Sequence, residues 1–343
     1  MKAIWIGLLV FGWAGCHLTH HTPSSVFTPV PEARIGLSGD SSNVIRPTQR
    51  GFLLAGGADD VDAGMKWLAN RAGRGDLVVL RASGGTGYND YWFELSGANS
   101  VETLLVNSHA AAYDPYVIRR IQEAEGIFIG GGDQARYLNF WQDTPMLDAL
   151  NAAIRRNVPI GGTSAGLAVL GEVIFDAKND TVTSDEALPN PYHQAVSLTN
   201  GGFLRIPELR GVLTDSHYTQ RNRQGRHVVF LARMQQDFGK SLLGIGVDEQ
   251  TAVTVDEHGI AHVWGVNEAT FIVPASQKPE ICQPNQPLTW NRNEHALRAY
   301  VIQGSATGNG AFNVRKPKTG THSGGTWKRF WVDQGAFKSV ADE

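Results

Sequence analysis

From Gly51 onward the chain alternates short, mostly apolar runs with longer stretches whose apolar residues recur every three or four positions. Phe52–Ala55, Leu77–Leu80, Val101–Val106, Ile127–Ile129 and Val158–Ile160 have the composition of strands buried on both faces. Between them, Val61, Met65, Leu68 and Ala69 share one helix face, and Asp114-Pro115 opens a helix through Ala124. A further helix is expected over Asp133–Trp141, and another behind Thr144-Pro145, with Leu147, Leu150 and Ile154 on one side. This order predicts an α/β fold, a mostly parallel sheet covered by helices on both faces. After Gly239 the rhythm shortens. Ser241–Val247, Thr251–Val255, Ile260–Trp264 and Thr270–Val273 read as strands, with Asp256-Glu257-His258-Gly259 as a hairpin connection. They predict either an antiparallel extension of the same sheet or a small flanking sheet. The Gly-, Asn- and Thr-rich stretch 276–343 predicts no definite element, and no internal repeat is evident.

The N-terminal pattern is different. In Met1–Ala14 a single Lys precedes an apolar run too short to span a bilayer, which takes about 20 residues. It fits the apolar segment of a secretory signal. Trp13-Ala14-Gly15-Cys16 resembles a bacterial lipobox, in which Cys16 would carry the lipid, although Trp13 stands where Leu or Val is usual. The expected organisation is a signal over 1–15, a flexible Pro-, Ser- and Thr-rich tether over 16–48, an α/β domain over 49–275 and an extension over 276–343. The expected location is extracytoplasmic, as a cell-envelope lipoprotein that meets the membrane only through its lipid, or as a secreted protein.

Lys and Arg number 30 against 33 Asp and Glu, a net charge of −3, which gives no basic footprint for nucleic acid. Two Cys exclude a disulfide framework and a Cys-rich zinc site, and Cys282 reads as a small buried apolar residue. His17, His20 and His21 read as solvated tether residues rather than metal ligands.

Chemistry concentrates in four strings. Gly162-Thr163-Ser164-Ala165-Gly166 follows a strand and precedes an apolar stretch, the setting of a nucleophile elbow. The sharp turn projects the Ser164 hydroxyl above the sheet edge and aims the Ala165 amide at a forming oxyanion. Gly130-Gly131-Gly132-Asp133-Gln134 ends the preceding strand, at the edge where open α/β sheets bind ligands. Gly131 is the candidate second oxyanion donor and Gln134 a substrate contact, while Asp133 suits a helix cap. The third string, Asp215 to Arg226, holds His217, the best-placed base, with His109, His193, His227 and His258 less favoured. Arg221, Arg223 and Arg226 follow within a short stretch, a density that suits a carboxylate-bearing substrate. The fourth, Gly244-Ile245-Gly246-Val247-Asp248-Glu249, ends a strand in two carboxylates, either of which could orient the imidazole.

Together the four strings resemble the cyanophycinase branch of the serine peptidases of family S51, which have a class I glutamine amidotransferase-like fold. The resemblance covers roughly residues 50–275. It implies Ser164 as nucleophile, His217 as base and Glu249 as its acid partner, with Gln134, Asp215, Arg221, Arg223 and Arg226 toward substrate. It implies no metal and no cofactor, and leaves a homodimer open. The implied substrate is cyanophycin, a poly-aspartate carrying arginine on its side chains, released as β-aspartyl-arginine. Ser216 stands where the family usually carries Gln. Two other readings remain, an exopeptidase for acidic or isoaspartyl peptides and a non-catalytic peptide-binding lipoprotein.

Overall fold

The computed structural model describes Met1 and residues 32–342. The signal, Cys16 and the first half of the expected tether lie outside the described residues. Among the described residues the strands form two sheets, of ten and eight strands.

The first sheet contains β1 (Arg34–Gly39), β2 (Gly51–Ala55), β3 (Asp76–Arg81), β4 (Ser100–Leu105), β5 (Gly126–Ile129) and β6 (Ile160–Thr163). It is completed by β11 (Thr251–Asp256), β12 (Ile260–Gly265), β15 (Asn309–Asn313) and β16 (His322–Ser323), in the order β1-β4-β3-β5-β6-β2-β11-β12-β15-β16. The central strands β4, β3, β5, β6 and β2 are parallel. Their residues are buried because helices cover both faces. α1 (Asp62–Arg71) and α2 (Asn89–Ser96) pack with Leu53, Leu77, Val79 and Phe128 on one side. α3 (Pro115–Glu123), α4 (Gln134–Trp141) and α5 (Pro145–Arg155) pack with Leu54, Leu80 and Ile127 on the other. The Thr144 side chain caps α5 and Pro145 begins it, as the sequence signals require.

The second sheet runs β18 (Ala336–Ala341), β17 (Thr326–Asp333), β14 (Leu297–Gln303), β13 (Glu268–Pro274), β10 (Leu243–Val247), β9 (Val212–Asp215), β7 (Val173–Phe175), β8 (Leu198–Asn200). Short helices α6 (Ala165–Ala168) and α7 (Ser184–Ala187) and the longer α8 (Gln224–Phe238) complete the fold. Both expected arrangements of the late strands therefore occur. β11 and β12 extend the first sheet, and β10 and β13 belong to the second.

Two expectations change, and one stretch left without elements gains them. The strand expected at Val158–Ile160 starts at Ile160 and runs to Thr163, directly into Ser164. Pro159 has no N–H to donate to a central ladder, so it only accepts, from the Ile127 amide at 3.1 Å, and the strand proper begins after it. Part of the expected tether is structured: β1 pairs antiparallel with β4, and Arg34 Nε donates to the buried Glu102 at 2.6 Å. Residues 276–342, for which the sequence predicted no definite element, continue both sheets, β14, β17 and β18 the second and β15 and β16 the first. Trp290 is buried among them.

Candidate active site

The site forms where β6, β9 and β10 end. The Ser164 amide bonds Ala55 O at 3.0 Å, which prolongs the β2–β6 pairing to the turn itself. Ser164 then takes φ 54°, ψ −114°, a conformation L-residues rarely adopt. The turn closes only because its flanks are glycine: a Cβ at Gly166 would run into the Ile129 carbonyl, and one at Gly162 into the Gly166 backbone. Strain is thereby stored at the residue whose hydroxyl is projected from the sheet.

β9 ends in Asp215, and His217 follows at φ 46°, its amide bonded to Gly56 O at 2.8 Å. Ser164 Oγ lies 2.7 Å from His217 Nε2, and His217 Nδ1 lies 2.7 Å from Glu249 Oε1. These two contacts separate the paired carboxylates after β10. Glu249 faces the imidazole, whereas Asp248 is buried and accepts from the amides of Thr219 (2.8 Å) and Glu268 (3.3 Å). The Glu249 peptide is pinned on both sides, its N–H donating to Gln220 Oε1 at 2.9 Å and its carbonyl accepting from Asn267 Nδ2 at 2.8 Å.

His217 titrates below its ordinary range. Burial is the main cause, aided by the charges of Arg221 and Arg223, and Glu249 opposes it only in part. The imidazole is therefore neutral at pH 7 and able to take a proton from Ser164. His227, one of the other bases considered, lies on the first turn of α8 and is wholly buried, and burial pushes it down to about 4.

Gly131 sits beside Ser164, since a Cβ placed on it would be 3.6 Å from Ser164 Cβ. The Tyr137 hydroxyl donates to Gly130 O at 2.7 Å and holds that loop. Asp133 caps α4 by accepting from the Ala135 amide. Gln134 lines the cavity beside Ser164 and donates to Phe175 O at 3.3 Å.

That cavity has a volume of about 700 Å³ and runs from Ser164 and Ala165 past the start of α4 to the loop after β7 and the Arg run. The three arginines do not play one part. Arg226 is buried, with Nε 2.9 Å and Nη2 2.6 Å from the two Asp215 oxygens and Nη1 donating to Val182 O at 2.9 Å. Its guanidinium also lies over Phe175, 5.0 Å from the ring centre. Asp215 and Arg226, expected to contact substrate, are committed to one another and form the cavity wall. Arg223 donates to Ser216 O at 2.9 Å, and burial pushes it down to about 10. Arg221 is half-exposed, with Nε 3.6 Å from Glu249 Oε1. The loop after β7 adds Lys178, Asp180 and Thr181 to the rim. Nothing in the sequence singled them out, because they sit in a polar loop without a motif.

The sequence model of peptidase family S51 matches residues 92–263. A cyanophycinase from Synechococcus elongatus is 32% identical over 238 residues, 66% of this chain and 69% of that protein. The chain belongs to peptidase family S51. A second relative, a cyanophycinase from Trichormus variabilis, is 29% identical over 272 residues, covering 74% of this chain and 84% of its own. A crystal structure of a peptidase from an acI-B1 Actinobacterium superposes with a TM-score of 0.49 at 17% identity, over 65% of this chain and 90% of that one. As an S51 member the chain is a serine-type peptidase, a hydrolase acting on a peptide substrate.

Proposed function

We propose that the chain hydrolyses aspartyl peptide bonds of cyanophycin through Ser164, His217 and Glu249. The observation that carries this reading is the unbroken contact chain Ser164 Oγ–His217 Nε2–Glu249 Oε1, each link 2.7 Å, opening on the Arg-lined cavity. Neutral His217 accepts the Ser164 proton as Oγ attacks the carbonyl. Glu249 holds the imidazole in the productive tautomer and stabilises the imidazolium. The amides of Gly131 and Ala165 take the oxyanion. The imidazolium then protonates the leaving amine, and a water molecule, activated by the same imidazole, releases the acyl group.

The cavity rim supports the polymer over a simple acidic peptide. Arg221 and Lys178 offer positive charge, while Asp133 and Asp180 offer negative charge along the same opening. A chain bearing both carboxylates and guanidinium groups matches such a rim; the relatives named as cyanophycinases agree with it. Ser216, bonded through its carbonyl to Arg223, favours one further reading, an exopeptidase for acidic or isoaspartyl peptides. Incubation with cyanophycin and with β-aspartyl dipeptides, followed by mass analysis, separates the two. Release of β-aspartyl-arginine is expected, with loss of turnover of about 10³-fold or more in Ser164→Ala. Products from dipeptides alone would support the exopeptidase, and retained activity in Ser164→Ala would remove Ser164 as nucleophile. We also propose that the protein acts in the cell envelope through a lipid on Cys16; fatty-acid label is expected on the wild type and lost in Cys16→Ser, and its absence from the wild type would refute this.

A further inference from the structure

We propose that Arg81 forms a second anion site, on the leaving-group side of Ser164, which binds a carboxylate of the departing peptide. The inference rests on Ser164 being the nucleophile.

Arg81 ends β3, and β3 pairs with β5 so that the Gly130 amide donates to Leu80 O at 3.0 Å. A Cβ on Gly130 would lie 3.3 Å from Arg81 Cγ and 3.5 Å from its guanidinium carbon. The next residue, Gly131, stands equally close to Ser164. Guanidinium and nucleophile thus flank the same glycine pair. The large cavity lies on the other flank: its wall includes Gly132–Ala135, Phe175 and the Arg run, and no residue from 56–62 or 81–88. A substrate whose acyl part occupies that cavity leaves its departing part to cross toward Arg81.

The side chain is held in a place built for it. Nε donates to Ser83 O at 2.9 Å, and the Tyr88 ring lies 5.8 Å from the guanidinium carbon. Gly84 has φ +97°, and a Cβ there would come 2.5 Å from Arg81 Nη2, so a side chain at this point would evict the guanidinium. Gly85 and Gly87 border open space, which leaves the approach clear. Arg226 is neutralised by Asp215, whereas among the described residues Arg81 makes no direct ion pair, and the carboxylate of Asp60 acts on it only at longer range. Its one fixed bond uses Nε, and the two Nη groups remain to bind a carboxylate side by side. Each unit of an aspartyl-arginine polymer carries such a carboxylate on its arginine, and a departing amino acid carries one at its C terminus.

The test uses the full chain and two-unit aspartyl-arginine substrates whose leaving unit has either a free carboxyl group or a carboxamide. The wild type is expected to prefer the free acid by about ten-fold in kcat/KM, the scale of a lost charged hydrogen bond. Arg81→Gln should lose about ten-fold on the free acid and less than about two-fold on the amide, and Arg81→Lys should restore part of the preference. Labelling of Ser164 by a fluorophosphonate reports the nucleophile independently. Normal labelling with an unchanged preference in Arg81→Gln overturns the Arg81 site alone. A wild type that neither labels nor hydrolyses overturns the function and this inference with it. Should Arg81→Gln fail to label, the preference measured in Arg81→Lys decides: one equal to wild type on both substrates counts against the site.

Discussion

Replacing Asp215 by Asn separates a structural from a substrate-binding role for the Asp215–Arg226 pair. Both side chains are almost fully buried, 6% and 3% exposed, so solvent screens little of their interaction. Burial alone would raise the Asp215 carboxyl, yet the Arg226 guanidinium outweighs it and holds the group below its ordinary range. The amide leaves Arg226 charged, buried and without its counter-ion. Breaking such a pair costs about 3–5 kcal/mol. The surviving bond from Arg226 to Val182 O argues for the lower end. At roughly 2–3 °C per kcal/mol for a domain of this size, Tm should fall by about 6–15 °C in thermal unfolding followed by circular dichroism. Asp215→Leu with Arg226→Met, which removes both charges, should recover most of that loss. A Tm within about 1 °C of wild type, with KM for the acidic substrate raised, would refute the argument and return the pair to substrate binding.

Three further outcomes follow from the site. The acid limb of kcat/KM should have a midpoint below 6.5, because His217 titrates below that value and must be neutral to accept the proton; activity is lost as pH falls through the lowered pKa, and a midpoint above 7 contradicts it. Glu249→Gln should lower kcat by about 10²–10⁴-fold with little change in Tm, whereas Asp248→Asn should cost about 1–3 kcal/mol of stability by loosening the Thr219 and Glu268 amides; the reverse pattern in kinetics and melting would exchange their roles. Gly166→Ala should destabilise by about 3 kcal/mol or more, since its Cβ meets the Ile129 carbonyl, and a variant that melts like wild type would show that the elbow has slack.

The central strands were readable because a strand buried on both faces needs an unbroken apolar run, and Phe52–Ala55 and Ile127–Ile129 can serve no other purpose. Ser164 was readable for a related reason, as its turn admits only glycine on either side. Asp248 and Glu249 were not separable from spacing, since the amides that take Asp248 belong to Thr219 and Glu268, far from it in the chain, and leave Glu249 to His217. The arginine cluster announced its charge but not its use: a carboxylate eleven residues upstream neutralises Arg226, and that pairing depends on where α8 lands on β9. The late strands were hidden because β15 pairs with β12 about fifty residues back and β18 is exposed along most of its length, which blurs the alternation of burial.

The hold on Glu249 has a consequence for how the enzyme comes into being. Asn267, which grips the Glu249 carbonyl, has its own carbonyl bonded by the Gly304 amide at 2.8 Å, and β13 gains its outer partner only when β14 arrives. A chain synthesised from its N terminus thus contains Ser164, His217 and Glu249 well before it contains the strands that brace them. Until then β13 presents an open, apolar edge, the kind of surface that invites mispairing. Hydrolytic competence therefore comes late in the life of each molecule. A copy interrupted at residue 275 would carry Ser164, His217 and Glu249 and still lack the strand that braces β13.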